Sequence, residues 1–115
     1  MRFLPLTAVS LALSLAAACG AVEQTSHCDF RPKKNRCQER RTLPTSTAVW
    51  EATCKAIPDS TYRSGACPKE NRIGGCDLSE PANPIIDWYY SDAGSSIKTA
   101  ADVMKECAGK TYLAP

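Results

Sequence analysis

Six cysteines between residues 28 and 107 constrain the fold of this chain more than any other sequence feature. They are Cys28, Cys37, Cys54, Cys67, Cys76 and Cys107, and a seventh, Cys19, precedes them. Residues 19–115 contain only eleven Leu, Ile and Val residues and one Phe, which is too few for an ordinary hydrophobic core. Three disulfides at roughly 2–4 kcal/mol each would offset this shortage. We therefore expect one small domain in which these six cysteines are disulfide-bonded.

The spacing of the six cysteines leaves their pairing open, because six cysteines allow fifteen connectivities. Our first interpretation is a local bridge between Cys67 and Cys76, which flank a loop containing Pro68 and two glycines. No two cysteines form a CxxC motif, so the sequence has neither a thioredoxin-like redox pair nor the spacing of a zinc ribbon. We expect no metal and no cofactor.

Residues 1–18 have the pattern of a secretory signal peptide. Arg2 is followed by an uncharged apolar run over residues 3–18, which ends in small residues and is shorter than the ~20 residues that span a bilayer as a helix. Cys19 follows these small residues directly, which resembles the lipobox of bacterial lipoproteins and implies a lipid on its thiol. Cleavage after Ala21 would leave the same six cysteines, so an unlipidated secreted protein is the alternative.

The expected location follows from the export signal and the cysteines together, because disulfides persist in oxidising compartments. Gly20 rather than Asp follows Cys19, and the same resemblance then implies the outer membrane, facing either the periplasm or the cell surface. We expect a signal peptide over 1–18, a lipid-anchored tether over 19–27 and a cysteine-rich domain over 28–115. Nucleic acid is not an expected partner of an exported, anchored protein.

Positive charge is concentrated just after the predicted tether. Six basic residues stand against one acidic residue, Glu39, in residues 31–41. Near a tether they would lie close to lipid phosphates, where each basic residue contributes on the order of 1 kcal/mol. We expect a membrane-surface contact, with a solvated polar strand or loop as the alternative. The residues are Arg31, Lys33, Lys34, Arg36, Arg40 and Arg41.

Two segments have the sequence pattern of short helices with related surroundings. Ser46 lies eight residues before Cys54, Thr99 lies eight residues before Cys107, and a Thr-Tyr pair follows each cysteine. A hydroxyl at this position predicts a helix N-cap, and Asp102 would complete a capping box with Thr99. The repeated order indicates two related halves, with chance similarity as the alternative. Helical spacing predicts that the second helix buries Ala100, Val103, Met104 and Cys107.

The clearest strand covers residues 85–90, which are rich in aromatic and β-branched residues. Its alternation predicts Trp88 and Tyr90 in the core and the pair Asp87 and Tyr89 on the exposed face, where it could bind a glycan or a protein. Shorter strands are expected over 62–64, 73–78 and 111–113. The predicted fold class is α+β, a small disulfide-stapled domain with two short helices packed on an antiparallel sheet.

No catalytic residue is predicted. His27 is the only histidine and falls in the predicted tether, where we expect it to be exposed. Catalysis by Ser or Cys usually needs a histidine base that a folded scaffold holds in place. The spacing does not pair Glu51, Asp87 or Asp102 as an acid and a base, and Asp102 is explained by the helix cap.

The order of motifs over residues 37–115 resembles a group of small predicted bacterial lipoproteins with no assigned activity. The motifs are Cys54, Gly65-Ala66-Cys67-Pro68, Gly75-Cys76, Trp88-Tyr89-Tyr90 and Cys107; Cys28 departs from the pattern. The resemblance implies an exported, disulfide-stapled domain and adds no substrate.

The expected function is a non-catalytic binding or envelope-structural role, with an unknown envelope protein or glycan as partner. The alternative is an inhibitor of a protease or another hydrolase. It would present the loop from Pro68 to Gly75 rigidly, with Lys69 and Arg72 as contact residues, because rigid presentation lowers the ordering cost of binding.

Overall fold

A computed structural model of the chain describes residues 22–80, 83–94 and 96–115. Cys19 and the predicted signal peptide therefore lie outside the described residues. The described elements, in chain order, are β1 (Gln24–Asp29), β2 (Arg36–Thr42), α1 (Pro44–Ala56), β3 (Thr61–Ser64), β4 (Arg72–Asp77), β5 (Ile85–Tyr90), α2 (Ala100–Cys107) and β6 (Thr111–Leu113). The predicted α+β class is confirmed.

All six strands form one antiparallel sheet in the order β3-β1-β2-β5-β4-β6. Each half of the chain contributes a hairpin, a helix and a short outer strand, and the two halves meet where β2 pairs with β5. The order of elements in the first half is therefore repeated in the second.

The register of the sheet supports the two related halves. Cys28 in β1 lies opposite Tyr62 in β3, and Cys76 in β4 lies opposite Tyr112 in β6. The two Thr-Tyr pairs of the sequence thus occupy the same place in each half. The two helix cysteines do so as well, because the Cys28–Cys54 disulfide joins β1 to α1 and the Cys76–Cys107 disulfide joins β4 to α2.

A second repeated feature follows each strand cysteine. Asp29 and Asp77 come directly after Cys28 and Cys76, and each carboxylate accepts a hydrogen bond from the backbone N–H two residues later, of Arg31 at 3.0 Å and of Ser79 at 2.9 Å. The short Asp side chain suits this local turn, which ends each strand.

The three disulfides connect distant parts of the chain, so the local bridge expected between Cys67 and Cys76 is wrong. The third pair is Cys37–Cys67, which joins β2 to the connector between β3 and β4. Cys76 bonds instead to Cys107 of α2. Its side chain points to the same face of the sheet as that of Cys28, which bonds to α1. Both helices consequently cover one face, and the connector crosses the other.

The two helices begin in different ways. Thr99 and Asp102 form the predicted capping box of α2. The predicted cap at Ser46 is wrong, because α1 begins at Pro44 after Leu43, and no side chain of the described residues caps it. In α2, Val103 and Cys107 are buried as expected, but Ala100 is exposed and Met104 is 53% exposed. The buried face of α2 is therefore narrower than the predicted face, because only two of the four apolar residues predicted in it are buried.

Replacing Thr99 with Ala should lower the free energy of unfolding by about 1 kcal/mol, because an orphan N–H of the first turn of α2 loses its acceptor. Ser46→Ala is the matched control and should change stability by less than about 0.5 kcal/mol. Urea denaturation followed by circular dichroism measures both changes. An equal loss of stability in the two variants would contradict the assignment of Thr99, but not Ser46, as a helix cap.

Strand β1 begins inside the segment predicted to be a tether. Residues 24–27 pair with β2, and Ser26 and His27 pair with β3 as well, so all four belong to the folded domain. The expected exposure of His27 is therefore wrong: the residue is 5% exposed, and its Nδ1 lies 2.9 Å from the carbonyl oxygen of Gly65. The polar sequence of β1 gave no alternating pattern from which a strand could be predicted.

Candidate functional site

The two central strands carry a connected row of polar side chains on the helix-covered face. Gln38 Nε2 donates to Asp87 Oδ1 at 2.9 Å, and Arg36 Nη1 lies 3.3 Å from Asp87 Oδ2. Arg40 donates from Nε and Nη2 to Oε1 of Gln38 at 2.9 and 2.7 Å. The order Arg36–Asp87–Gln38–Arg40 therefore places one carboxylate between two arginines.

The predicted exposed pair Asp87 and Tyr89 is buried, which corrects the sequence interpretation. Asp87 is 4% exposed and its carboxylate is already held by Gln38 and Arg36. Tyr89 packs with Val103 and Cys107 of α2, and burial raises the pKa of its hydroxyl. Alternation could not reveal this, since β5 is covered on both faces. Asp87 acts as the centre of the network rather than as a free ligand-binding group.

Arg40 is the member of this network whose charge is least compensated. Its guanidinium stacks on the ring of Trp50 at 3.9 Å from the centroid, and its two hydrogen bonds go to one neutral amide oxygen. Among the described residues, no carboxylate oxygen lies within 4 Å of it. Burial accordingly lowers the pKa of Arg40, although the charge of Asp87 acts in the opposite direction.

A cavity of about 380 Å³ lies beside Arg40, between α1 and the central strands. We call it the α1 cavity. Trp50, which is 4% exposed, contributes to its wall, and the other lining residues comprise two arginines, four hydroxyl residues, one amide and three aliphatic residues. These are Arg40, Arg41, Thr42, Thr45, Ser46, Val49, Thr53, Asn83, Pro84 and Ile85.

The corresponding region beside α2 has a different composition. A shallower cavity of about 270 Å³ is lined by Lys34, Asn35, Arg36, Tyr89 and Glu106. It contains an acidic residue, and Arg36 is already paired with Asp87. The two cavities occupy related places in the two halves, but the α1 cavity combines basic residues with a wall that, in the described chain, has no acidic member.

The basic residues predicted to contact a membrane do not form one patch. Three of them, Arg31, Arg36 and Arg40, stack on aromatic rings, and Lys33 pairs with Asp59. The β1–β2 hairpin also separates them, because Lys33 and Lys34 lie at its turn and Arg40 and Arg41 at its open ends, roughly 20 Å away. Lys34 and Arg41 are exposed.

The predicted loop from Pro68 to Gly75 is wrong in its second half, because β4 begins at Arg72. Only one of its two predicted contact residues is free for binding. Lys69 is exposed, but Arg72 is half-buried, stacks on Trp88 at 3.8 Å and donates to the carbonyl oxygen of Cys67 at 2.7 Å. Tyr90 Oη also donates to the carbonyl oxygen of Pro68 at 2.6 Å. The connector is therefore fastened by side chains of the sheet as well as by a disulfide.

The candidate carboxylates lie in separate places. Glu51 is in α1 and accepts a hydrogen bond from Lys55 at 2.7 Å, while Asp102 caps α2. Within the described ranges, no three His, Cys, Asp or Glu side chains are close enough together to hold a metal ion. Neither α1 nor α2 is long and apolar enough to cross a membrane.

Asp29 should make the domain sensitive to acid. Burial acts to raise its pKa, but the hydrogen bonds and charge of Arg31 outweigh burial, so the pKa of Asp29 lies below its usual value. Its stabilising contribution is therefore present above the unfolded pKa of about 3.9 and is lost as the pH falls through the lower folded value. The stability difference between the wild type and Asp29→Asn should shrink between pH 5 and pH 2 in urea titrations. A constant difference would contradict this assignment.

Sequence reasoning missed the role of the arginines in the core. Arg40 on Trp50 and Arg72 on Trp88 replace contacts that aliphatic residues supply in most domains. The available signal was the combination of few aliphatic residues with basic residues in strand positions.

Comparisons of the chain with protein-family models, with curated proteins and with solved structures find no match.

Proposed function

We propose that this protein is a non-catalytic binding protein of the bacterial envelope, held to the outer membrane by lipid on Cys19. The α1 cavity is the observation that carries the binding role. Its volume of about 380 Å³ lies in the range of small-molecule sites, and its wall combines Trp50 with a few polar groups. The Cys28–Cys54 disulfide holds α1 on the sheet, so the cavity is preformed.

The path of the chain is consistent with an anchored domain. Gln24 lies opposite Thr42 in the sheet, and Thr42 lines the α1 cavity. Four residues lie between Cys19 and Gln24, so the five steps along the chain can span at most about 18 Å. A lipid on Cys19 would therefore keep the cavity near the membrane surface, with the hairpin turn at Lys33 and Lys34 directed away from it.

Intact mass spectrometry of the native protein tests the anchor. The expected mass is that of residues 19–115 with three acyl chains, and six thiols should be alkylated only after reduction. An unlipidated chain that begins after Ala21 would overturn the anchor and leave a secreted protein. Thiols that react without reduction would contradict the three disulfides.

Retention of envelope components by the immobilised protein tests the binding role. Mass spectrometry identifies the retained molecules, and Arg40→Gln should reduce their retention at least tenfold. The matched control, Arg63→Gln, removes the same charge from an exposed strand position outside the cavity and should retain them as the wild type does. Equal retention by all three proteins would contradict a binding role for the α1 cavity.

Inhibition of a hydrolase is a second candidate, favoured by the fastening of the connector. Cys67 is linked to Cys37, and its N–H donates to Glu39 Oε1 at 2.9 Å. Lys69 and Glu70 lie exposed beyond this fixed point. A loop held this firmly loses little conformational freedom when it docks into a cleft.

Lys69→Ala distinguishes the two candidates. An inhibitor should lose at least tenfold in affinity for its target hydrolase when Lys69 is replaced, while Arg40→Gln leaves inhibition unchanged. Inhibition assays against a panel of purified proteases and other hydrolases measure both variants. Absence of inhibition across the panel, or inhibition that survives Lys69→Ala, would contradict this candidate.

A further inference from the structure

The two related halves allow one helix to be compared with the other, position by position. Counting back from the helix cysteines, Val49 of α1 corresponds to Asp102 of α2, since each lies five residues before its cysteine. In α2, Asp102 Oδ2 accepts hydrogen bonds from the N–H groups of Lys98 and Thr99, both at 3.0 Å. The first turn of α2 is thus neutralised by a carboxylate from the protein itself.

The first turn of α1 has no such carboxylate. Val49 is the sixth residue of α1, so it lies one turn further from the start of its helix than Asp102 does. It is 67% exposed and lines the α1 cavity together with Thr45 and Ser46. No side chain in the described part of the chain caps this helix, and its first turn contains no acidic residue. The N-terminal end of a helix carries a partial positive charge of about half a unit. Among the described residues, neither the first turn of α1 nor the lining of the α1 cavity contains a carboxylate.

Arg40 provides independent evidence that the α1 cavity is a built site. Arg40 is held in place by Trp50 and Gln38 but has no carboxylate partner among the described residues. Trp50 is buried, and its ring supports the guanidinium at 3.9 Å from the centroid. An oriented guanidinium is suited to bind a planar carboxylate or a phosphate through two hydrogen bonds.

We propose that the α1 cavity binds a small organic anion, whose carboxylate or phosphate group lies between Arg40 and the first turn of α1. This inference rests on the binding role proposed above and names the class of ligand. Thr45, Ser46 and Thr53 supply hydroxyl groups for the polar part of the ligand, and Val49 and Ile85 supply apolar contacts. The anion supplies beside the first turn of α1 the negative charge that Asp102 supplies beside the first turn of α2.

The decisive variant is Val49→Asp, which places a carboxylate on the wall of the α1 cavity, in the turn that follows the first turn of α1. It should compete with an external anion and weaken binding at least tenfold. Met104→Asp is the matched control: it also replaces an exposed apolar helix residue with a carboxylate, but on α2 and away from the α1 cavity. It should change binding less than twofold. Because both side chains are exposed, both variants should fold, which circular dichroism checks.

The probes are inorganic phosphate, citrate and vesicles. Exported protein with Cys19→Ser is titrated with each soluble anion, and NMR amide shifts and calorimetry measure binding. Phosphatidylglycerol vesicles, with phosphatidylcholine vesicles as reference, report a lipid headgroup as the source. Shifts at residues 45–53 with phosphate or citrate, lost in Val49→Asp, support a soluble anion. Binding only to phosphatidylglycerol vesicles, again lost in Val49→Asp, supports a headgroup.

Two results would overturn the inference. One is binding of the probes that Val49→Asp and Met104→Asp weaken equally, since that indicates general charge attraction. The other is the absence of binding to any probe by the wild type at millimolar anion concentration. If envelope components are still retained in an Arg40-dependent way, the binding role survives and only the ligand class is wrong. Anion binding without such retention leaves the present inference in place.

Discussion

Replacing both Cys76 and Cys107 with Ala should lower the free energy of unfolding by about 3–4 kcal/mol. The disulfide closes a sequence separation of 31 residues, and the chain-entropy relation gives about 3.7 kcal/mol for such a loop. Urea denaturation monitored by circular dichroism measures the loss. Because α2 has only eight residues, it is too short to be helical alone, and we expect it to lose its protection from hydrogen exchange.

The Cys37–Cys67 disulfide provides the matched control. Its sequence separation is 30 residues, so replacing both cysteines with Ala removes almost the same chain entropy and should cost about the same stability. It joins β2 to the connector, however, on the face of the sheet opposite to α2. Hydrogen exchange of α2 under native conditions should therefore remain as slow as in the wild type. If both variants released α2 equally, the disulfide would not be what holds this helix to the sheet.

The parts of the fold that were predictable from sequence are those with a local chemical cause. The capping box of Thr99 and Asp102 needs only neighbouring residues, and the strand over residues 85–90 is rich in residues that prefer strands. The two Thr-Tyr pairs also indicated the repeated order of elements. Tyr62 packs beside the Cys28–Cys54 disulfide, and Tyr112 packs beside the Cys76–Cys107 disulfide.

The parts that were not predictable depend on contacts between distant residues. Strands β1 and β2 lack alternating apolar residues, since their core contacts come from Cys28, Cys37 and arginines that stack on rings. Cysteine pairing follows from the faces on which strand residues lie, which required the register of the sheet. Local spacing favoured a Cys67–Cys76 bridge because it could not include that register.

The candidate site was missed for the same reason. Arg40 was recognised as basic, but its position over Trp50 and beside the uncapped end of α1 depends on how α1 returns to the sheet. Asp87 and Tyr89 were assigned to an exposed face because alternation alone cannot reveal that helices cover it. The correspondence between Val49 and Asp102 depends on the disulfides that join each helix to its strand, and the spacing of the cysteines does not predict these disulfides.

Gly75→Ala should destabilise the domain by about 1–3 kcal/mol, because β4 approaches the ring of Trp88 too closely for a side chain. A Cβ atom at Gly75 would lie 2.5 Å from Cε3 of Trp88 and 3.0 Å from the carbonyl oxygen of Asp87. The ring has little freedom to move, since the Arg72 guanidinium stacks on it at 3.8 Å. We expect the strain to loosen both the stack and the pairing of β4 with β5.

Gly94→Ala is the control for this substitution. A Cβ atom at Gly94 would meet only the carbonyl oxygen of Pro32, at 3.9 Å, which is ordinary contact. It should leave stability unchanged or raise it by up to about 1 kcal/mol, because alanine restricts the unfolded chain more than glycine does. Urea denaturation of both variants measures the difference, and near-ultraviolet circular dichroism reports the tryptophan environment. If Gly75→Ala were as stable as Gly94→Ala, the packing of Trp88 against β4 would not constrain this strand.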